Sequence, residues 1–306
     1  MKKRILIVGG TGFIGYHLAK KCLKKNFLVT SLSSRKPKKE KYLKKVKYIK
    51  CDISNKNNLK RNIKGNYDYV INCGGYVNHN EKVRTFNSHY KGCKNLADFF
   101  NKKNIISFIQ IGSSVEYGSI KSPQSENKNC SIKKLKSTYG RAKFLATKYL
   151  LGLFEKEKFP VTILRLYLVY GPNQDTNRLI SSVINSCLLK KKFPCSNGNQ
   201  YRDFLYVDDL IKAIISCFGN SNSMGKIINV GQGKPKKVKN IIELINGKIG
   251  TGVPEYGKIK FRKDEIKILY PDIKLAKKIL KWKSKISLKK GIDLTIKNYK
   301  SQLNIN

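Results

Sequence analysis

Six tyrosines in this chain are followed four residues later by lysine, at Tyr16, Tyr90, Tyr117, Tyr139, Tyr256 and Tyr270. On a helix such a pair shares one face, a turn apart. An ammonium beside a phenol favours the phenolate, which makes a usable proton donor and acceptor at a hydroxyl or ketone. With 17 tyrosines in a lysine-rich chain, about three such pairs arise by chance, so spacing alone selects none. Position does. Only Tyr139/Lys143 opens a long helical stretch directly after the fifth expected strand, whose carboxyl end carries Ser113-Ser114. In a doubly wound sheet that end faces the cofactor crevice.

A second constellation starts the chain. Arg4-Ile-Leu-Ile-Val8 reads as a buried strand, glycines follow at 9, 12 and 15, and an apolar-periodic stretch comes next. Gly9 suits a turn needing positive φ, Gly12 lets backbone N–H groups approach a pyrophosphate, and Gly15 lets the helix lie against the strand. The helix N-terminus supplies free donors and partial positive charge. Thr11, Phe13 and Ile14, within the same turn, are expected to line the dinucleotide as well.

These residues need a scaffold. Apolar runs predict strands at 4–8, 27–32, 46–50, 69–72, 105–111 and 161–165. Between and after them, helices are expected at 13–25, 55–63, 81–102, 137–158 and 179–189. Such alternation means parallel βαβ units with right-handed crossovers. After Pro172 the pattern loosens into short strands, Gly/Asn-rich turns and helices at 208–218, 238–245 and 288–302. The expected fold is α/β, a Rossmann-type doubly wound parallel sheet with a smaller carboxy-terminal substrate-binding lobe. Residues 1–172 would form the nucleotide domain, to which the chain returns near 203–230. Residues 173–306 would form mainly the lobe, with the ligand cleft between. The lysine-rich stretch 35–45 reads as a solvated turn and short helix.

Composition sets bounds. The net charge of +45 suits polyanions. Only nine of the 64 cationic residues are arginine, though, and the lysines run the whole length. Forks that read bases and phosphates favour arginine, so no dedicated nucleic-acid site is expected; an acidic small substrate fits the charge equally well. No run of about 18 apolar residues exists, which predicts no membrane span. The first strand begins at once, leaving no room for a signal peptide. Eight scattered cysteines without a Cys-x-x-Cys pair predict a reduced, cytoplasmic protein. His17, His79 and His89 share no metal-ligand spacing, so no metal is expected; His17 and His79 read as structural.

Taken in order, Gly9-x-x-Gly12-x-x-Gly15, Asp52-Ile53, Ser113-Ser114-Val115-Glu116-Tyr117-Gly118, Tyr139-Gly-Arg-Ala-Lys143 and Tyr170-Gly-Pro172 resemble the extended short-chain dehydrogenase/reductases. More narrowly, they look like the NAD(P)-dependent epimerase/dehydratase group acting on nucleotide sugars. Gly198 to Asp209, Asn229-Val-Gly231 and Trp282 to Gly291 extend the likeness over nearly the whole chain. The resemblance implies that Tyr139 is the general acid/base, that Lys143 holds the nicotinamide ribose and tunes Tyr139, and that Ser113 bonds the same sugar oxygen, with Ser114 beside it. It implies that Asp52, with Ile53, meets the adenine, and that Arg202 and Arg178 grip the substrate diphosphate. Other readings stay open: Ser113 as a strand-end cap, Asp52 as a turn residue, Arg178 as a solvated helix-start residue.

Departures narrow the expectation. The acidic residue that commonly ends the second strand is replaced by Ser33-Ser34-Arg35, which suits a 2′-phosphate and hence NADP over NAD. The 4,6-dehydratases carry an Asp-Glu pair where this chain has Ser114-Val115, which disfavours dehydration. Leu168 and His89 stand at places often held by asparagine. The expectation is therefore a cytoplasmic, NADP-preferring reductase of a nucleotide-linked 4-keto(-6-deoxy) hexose. The alternatives are a 4-epimerase with retained NAD and a non-catalytic RNA-binding member of the fold. Helices 81–102 and 137–158 would pair with their copies in a homodimer, as is common in the resembled family.

Overall fold

The computed structural model describes residues 2–260 and 265–305. Its centre is a seven-stranded parallel sheet. Six of its strands are β1 (Arg4–Val8), β2 (Leu28–Ser33), β3 (Lys47–Lys50), β4 (Tyr69–Asn72), β5 (Ser107–Ser113) and β6 (Val161–Leu166). The seventh is Lys226–Val230, beside β6, and the order runs 226–230, β6, β5, β4, β1, β2, β3. A sheet covered on both faces takes near-continuous apolar strands, and β1 shows why. Ile5 and Ile7 enter one core and Leu6 and Val8 the other, because successive side chains alternate across the pleat.

The Leu6/Val8 side is covered by α2 (Lys56–Asn62), α4 (Gly92–Asn101) and α5 (Thr138–Glu157), through Leu59, Leu96, Phe100, Ala146 and Leu150. Short α3 (Lys82–Phe86) leads into α4 through a π-helical turn at Asn87–Lys91, so the single helix expected over 81–102 runs through with a π-helical turn around His89. On the Ile5/Ile7 side, α1 (Phe13–Lys24), α6 (Leu179–Leu188), α7 (Val207–Ile215) and α8 (Val238–Ile249) join the larger core. Two further helices follow, α9 (Lys274–Leu280) and α10 (Leu288–Gln302). Asp209 of α7 pins them down. Its Oδ2 accepts from the backbone N–H groups of Lys285 and Ile286 at 2.8 and 2.7 Å, and its carbonyl accepts from Trp282 Nε1 at 2.9 Å.

Strand 226–230 and helix α9 were not expected from the sequence. The stretch 35–45 is mostly exposed, as expected, with the exception of Lys41 in the 3₁₀ turn Lys39–Lys41, which is buried with Nζ 3.7 Å from Asp175. All eight cysteines are free thiols. Among the described residues no helix is long and apolar enough to cross a membrane, and no His/Cys/Asp/Glu group is placed to hold a metal.

Candidate active site

The glycine turn is built for close approach. Gly9 has φ +75° and donates to the Leu32 carbonyl at 2.7 Å, which fixes the turn to β2. A Cβ on Gly15 would lie 2.3 Å from the Gly9 oxygen and 2.6 Å from Gly10 Cα, so only glycine lets α1 sit this deep. Gly12 is the N-cap of α1 and brings no side-chain cap, and no acidic residue stands in the first turn. The first donors of α1, around Phe13 and Ile14, are thus left to an anion. This cradle fits a dinucleotide pyrophosphate. Thr11 N–H donates to Ser33 Oγ at 3.3 Å, so Ser33 faces the turn while Arg35 is exposed just beyond it.

Asp52 follows β3, whose end is joined to β2 by Cys51 N–H donating to the Ser33 carbonyl. Its Oδ1 accepts from the backbone and hydroxyl of Ser54 at 2.9 and 2.7 Å, a turn that leads into α2. The turn reading of Asp52 is thus part of its geometry, with the carboxylate exposed at the sheet's carboxyl edge. Ile53 is buried against Gly92 at the start of α4, where a Cβ would come within 2.7 Å of it.

Ser113 is the last residue of β5, and its Oγ caps the 3₁₀ turn Ser114–Tyr117. The hydroxyl accepts from Val115 N–H at 3.4 Å, a long bond that leaves it capacity for another partner. Ser114 is buried and Val115 half-exposed. Ser137 caps the start of α5, its Oγ accepting from Gly140 N–H at 3.0 Å. That start sets Tyr139 and Lys143 on one face. Lys143 is 4 % exposed and its ammonium donates to the Ile111 carbonyl on β5 at 2.6 Å. It lies 5.9 Å from the centre of the Tyr139 ring. Of the six Tyr/Lys pairs, this one stands beside the end of β5. Tyr117 is buried with its hydroxyl on Asn229.

Two histidines surround Tyr139: His79, which the sequence read as structural, and His89, which stands at a place often held by asparagine. The His79 ring stacks on the phenol at 4.1 Å and 12°, and His89 meets it edge-on at 4.8 Å. Burial, reinforced by the Lys143 ammonium, pushes the His89 imidazole down to about 2, so it is neutral. Its Nε2 bonds the Tyr76 carbonyl at 3.1 Å, and Gly75 makes room for the ring. Burial, then Arg178 and Lys143, lowers His79 too. Arg178, the N-cap residue of α6, is exposed. Nothing in the spacing of His79 and His89 announced a shared ring contact; the π-helical turn creates it for His89.

Arg202 is 8 % exposed in the short strand Tyr201–Arg202. Its guanidinium donates to its neighbour's carbonyl at 2.8 Å and is paired with Glu265. A diphosphate at Arg202 would share or displace that carboxylate. Leu168 is 41 % exposed at the start of a three-residue strand after β6.

Known proteins carry the same frame. The profile of the "NAD dependent epimerase/dehydratase family" matches residues 5–231. A putative UDP-glucose 4-epimerase of Methanocaldococcus jannaschii is 31% identical over 301 residues, covering 94% of this chain and 95% of that protein. A UDP-N-acetyl-alpha-D-glucosaminuronate decarboxylase of Bacillus cytotoxicus is 26% identical, with 97% of each chain covered. Among solved structures, UDP-glucose 4-epimerase of Thermotoga maritima with UDP-glucose superposes at a TM-score of 0.89. It is 23% identical and covers 98% of this chain and 99% of that one. A family match across most of the chain agrees with the glycine cradle, the parallel sheet and the Tyr139/Lys143 helix. The chain belongs to the NAD-dependent epimerase/dehydratase family.

Proposed function

We propose that this protein is an NAD-dependent 4-epimerase of a UDP-linked hexose. One observation argues against dehydration among the family's reactions. The acid nearest in sequence to Ser113 is Glu116, which is fully buried and engaged by Arg165, Thr147 and the Ser113 N–H. It is not free to act as a second acid or base, and Ser114-Val115 supply none. Elimination of water needs such a group. Epimerisation needs only one, because the step that removes a proton is run backwards to return it.

Tyr139 takes the proton of the sugar hydroxyl, with Ser113 donating to the same oxygen and Lys143 favouring the phenolate. The Gly9–Gly15 cradle would hold NAD, which when bound would supply a reversible hydride acceptor for that carbon. Once the ketone has turned its other face, Tyr139 returns the proton. Arg202 and Arg178 hold the diphosphate, where a guanidinium fork suits phosphate geometry. The 31% identity to a putative UDP-glucose 4-epimerase supports the reading.

A second reading has its own observation. The end of β2 carries no carboxylate, and Arg35 is exposed beside inward-turned Ser33. That arrangement admits a 2′-phosphate and favours an NADP-dependent reductase of a nucleotide-linked 4-ketohexose. Purified protein separates the two. The epimerase retains NAD through dialysis and interconverts UDP-glucose and UDP-galactose without added cofactor. The reductase exchanges its cofactor, consumes NADPH with a 4-keto sugar, and binds NADPH about 10–100-fold tighter than NADH, the worth of one charge-assisted bond.

A further inference from the structure

Below the Ser113/Tyr139/Lys143 group lies a buried polar network. Glu116 has no exposed surface, Arg165 is 2 % exposed and Thr147 4 %. Glu116 Oε1 accepts from Ser113 N–H at 2.8 Å, at the very end of β5. Its Oε2 accepts from the Thr147 hydroxyl at 2.7 Å and from Arg165, whose Nη2 lies at 3.1 Å. A Cβ on Gly112 would stand 2.8 Å from Oε1, so the strand gives up a side chain to admit the carboxylate. Replacing such a buried pair with apolar residues often costs nothing. Stability alone is therefore a weak account of why a charge sits here.

The geometry offers a better one. Tyr139, Lys143 and Thr147 are successive positions i, i+4 and i+8 on one face of α5, about 6 Å apart along its axis. Lys143 ties that face to β5 at the Ile111 carbonyl. Glu116 adds a second polar tie one turn on, joining Thr147 of α5 to the Ser113 N–H of β5. We infer that Glu116 is a positioning residue: by bonding Thr147 and the Ser113 N–H together, it locks α5 against the end of β5 and pre-places Lys143 for the dinucleotide and Ser113 for the sugar oxygen. The inference rests on the proposed role of Lys143 at the cofactor.

Glu116→Gln would strand the buried Arg165 charge and unfold the protein for an unrelated reason, so the test is made at Thr147. After any retained cofactor has been stripped, fluorescence titration with NADH compares wild type with Thr147→Val, Thr147→Ser, Lys143→Met and Ile245→Val. Ile245 is fully buried in α8, and its loss of a methylene supplies a fold-destabilising control with no contact to the network. Thr147→Val should weaken NADH binding about 3–10-fold, the usual worth of one lost hydrogen bond. Thr147→Ser, which keeps the hydroxyl, should lie within about twofold of wild type, and Ile245→Val should bind like wild type. Wild-type affinity in Thr147→Val overturns the inference. So does failure of the serine to rescue, or an equal loss in Ile245→Val. If Lys143→Met itself binds NADH normally, the assignment of Lys143 to the cofactor has failed, which the Thr147 series alone would not reveal.

Discussion

Gly15→Ala is the sharpest probe of the cofactor cradle. The added methyl would lie 2.3 Å from the Gly9 oxygen, 2.6 Å from Gly10 Cα and 2.8 Å from the Gly9 carbonyl carbon. All three are backbone atoms, so no side chain can rotate away. Comfortable separations are near 3.5 Å, so α1 must move outward by roughly 1 Å. Overpacking of this kind costs about 1–3 kcal/mol of folding stability. Binding suffers more. A donor that meets a phosphate oxygen at about 2.9 Å would stand near 3.9 Å, which is no longer a hydrogen bond. Losing two charge-assisted bonds, at about 1.5–3 kcal/mol each, weakens NADH by at least ~10²-fold. Gly247→Ala is the control. It lies within α8 with nothing inside 4 Å of the new methyl, and should gain about 0.5–1 kcal/mol with NADH affinity unchanged. Fluorescence titration and urea unfolding measure both quantities. A folded Gly15→Ala protein that binds NADH within fivefold of wild type would refute the geometry argued for the turn.

Tyr139→Phe keeps the ring between His79 and His89 but removes the proton; turnover should fall about 10²–10⁴-fold with NADH affinity little changed, and near-wild-type turnover would end the assignment. Acid should destabilise the protein through His89. Its folded value of about 2 lies below the unfolded value near 6.5, so only the unfolded chain takes up the proton between them. The contribution is whole above about pH 6.5 and falls by up to ~1.4 kcal/mol per pH unit below it. Urea midpoints from pH 7.5 to 4.5 should therefore fall less steeply in His89→Asn; parallel curves would contradict this. Half-buried Phe86, Phe99, Phe144 and Leu151 on α3, α4 and α5 fit a two-fold partner, so light scattering at about 0.15 M salt should give twice the 35.0 kDa chain mass. The lysine load should loosen the pair at low salt, and a monomer at micromolar protein in both conditions would dismiss it.

The amino-terminal half was largely legible in the sequence because buried parallel strands are written as apolar runs. β1 and β4 lie where the residues put them, and the other four strands differ by one or two residues. The shift at β5 matters, since it makes Ser113 the last strand residue and so a capping residue as well as a site residue. What escaped depends on partners distant in sequence. Lys226–Val230 has only Ile227, Ile228 and Val230 to announce it, and it is a strand because β6 offers an edge. The His79 and His89 contacts to Tyr139 come from a loop and a π-helical turn meeting a helix some 50 residues on. Glu116 was quoted in a motif yet carried no role until Arg165 and Thr147 appeared around it.

The late arrival of strand 226–230 shapes how the molecule is made. As the chain leaves the ribosome, β6 is released with an open edge, and α6 and α7 must follow before its neighbour emerges. An unpaired strand edge is a template for wrong partners, and non-local parallel pairing is slow. The closing strand also carries Asn229, whose side chain accepts from Tyr117 and donates to the Gln124 carbonyl, while its N–H reaches Glu126. Those bonds stitch the segment after β5 into place. Synthesis thus leaves the floor of the site open until Asn229 has been made, a window in which a chaperone on the nascent chain has most to protect.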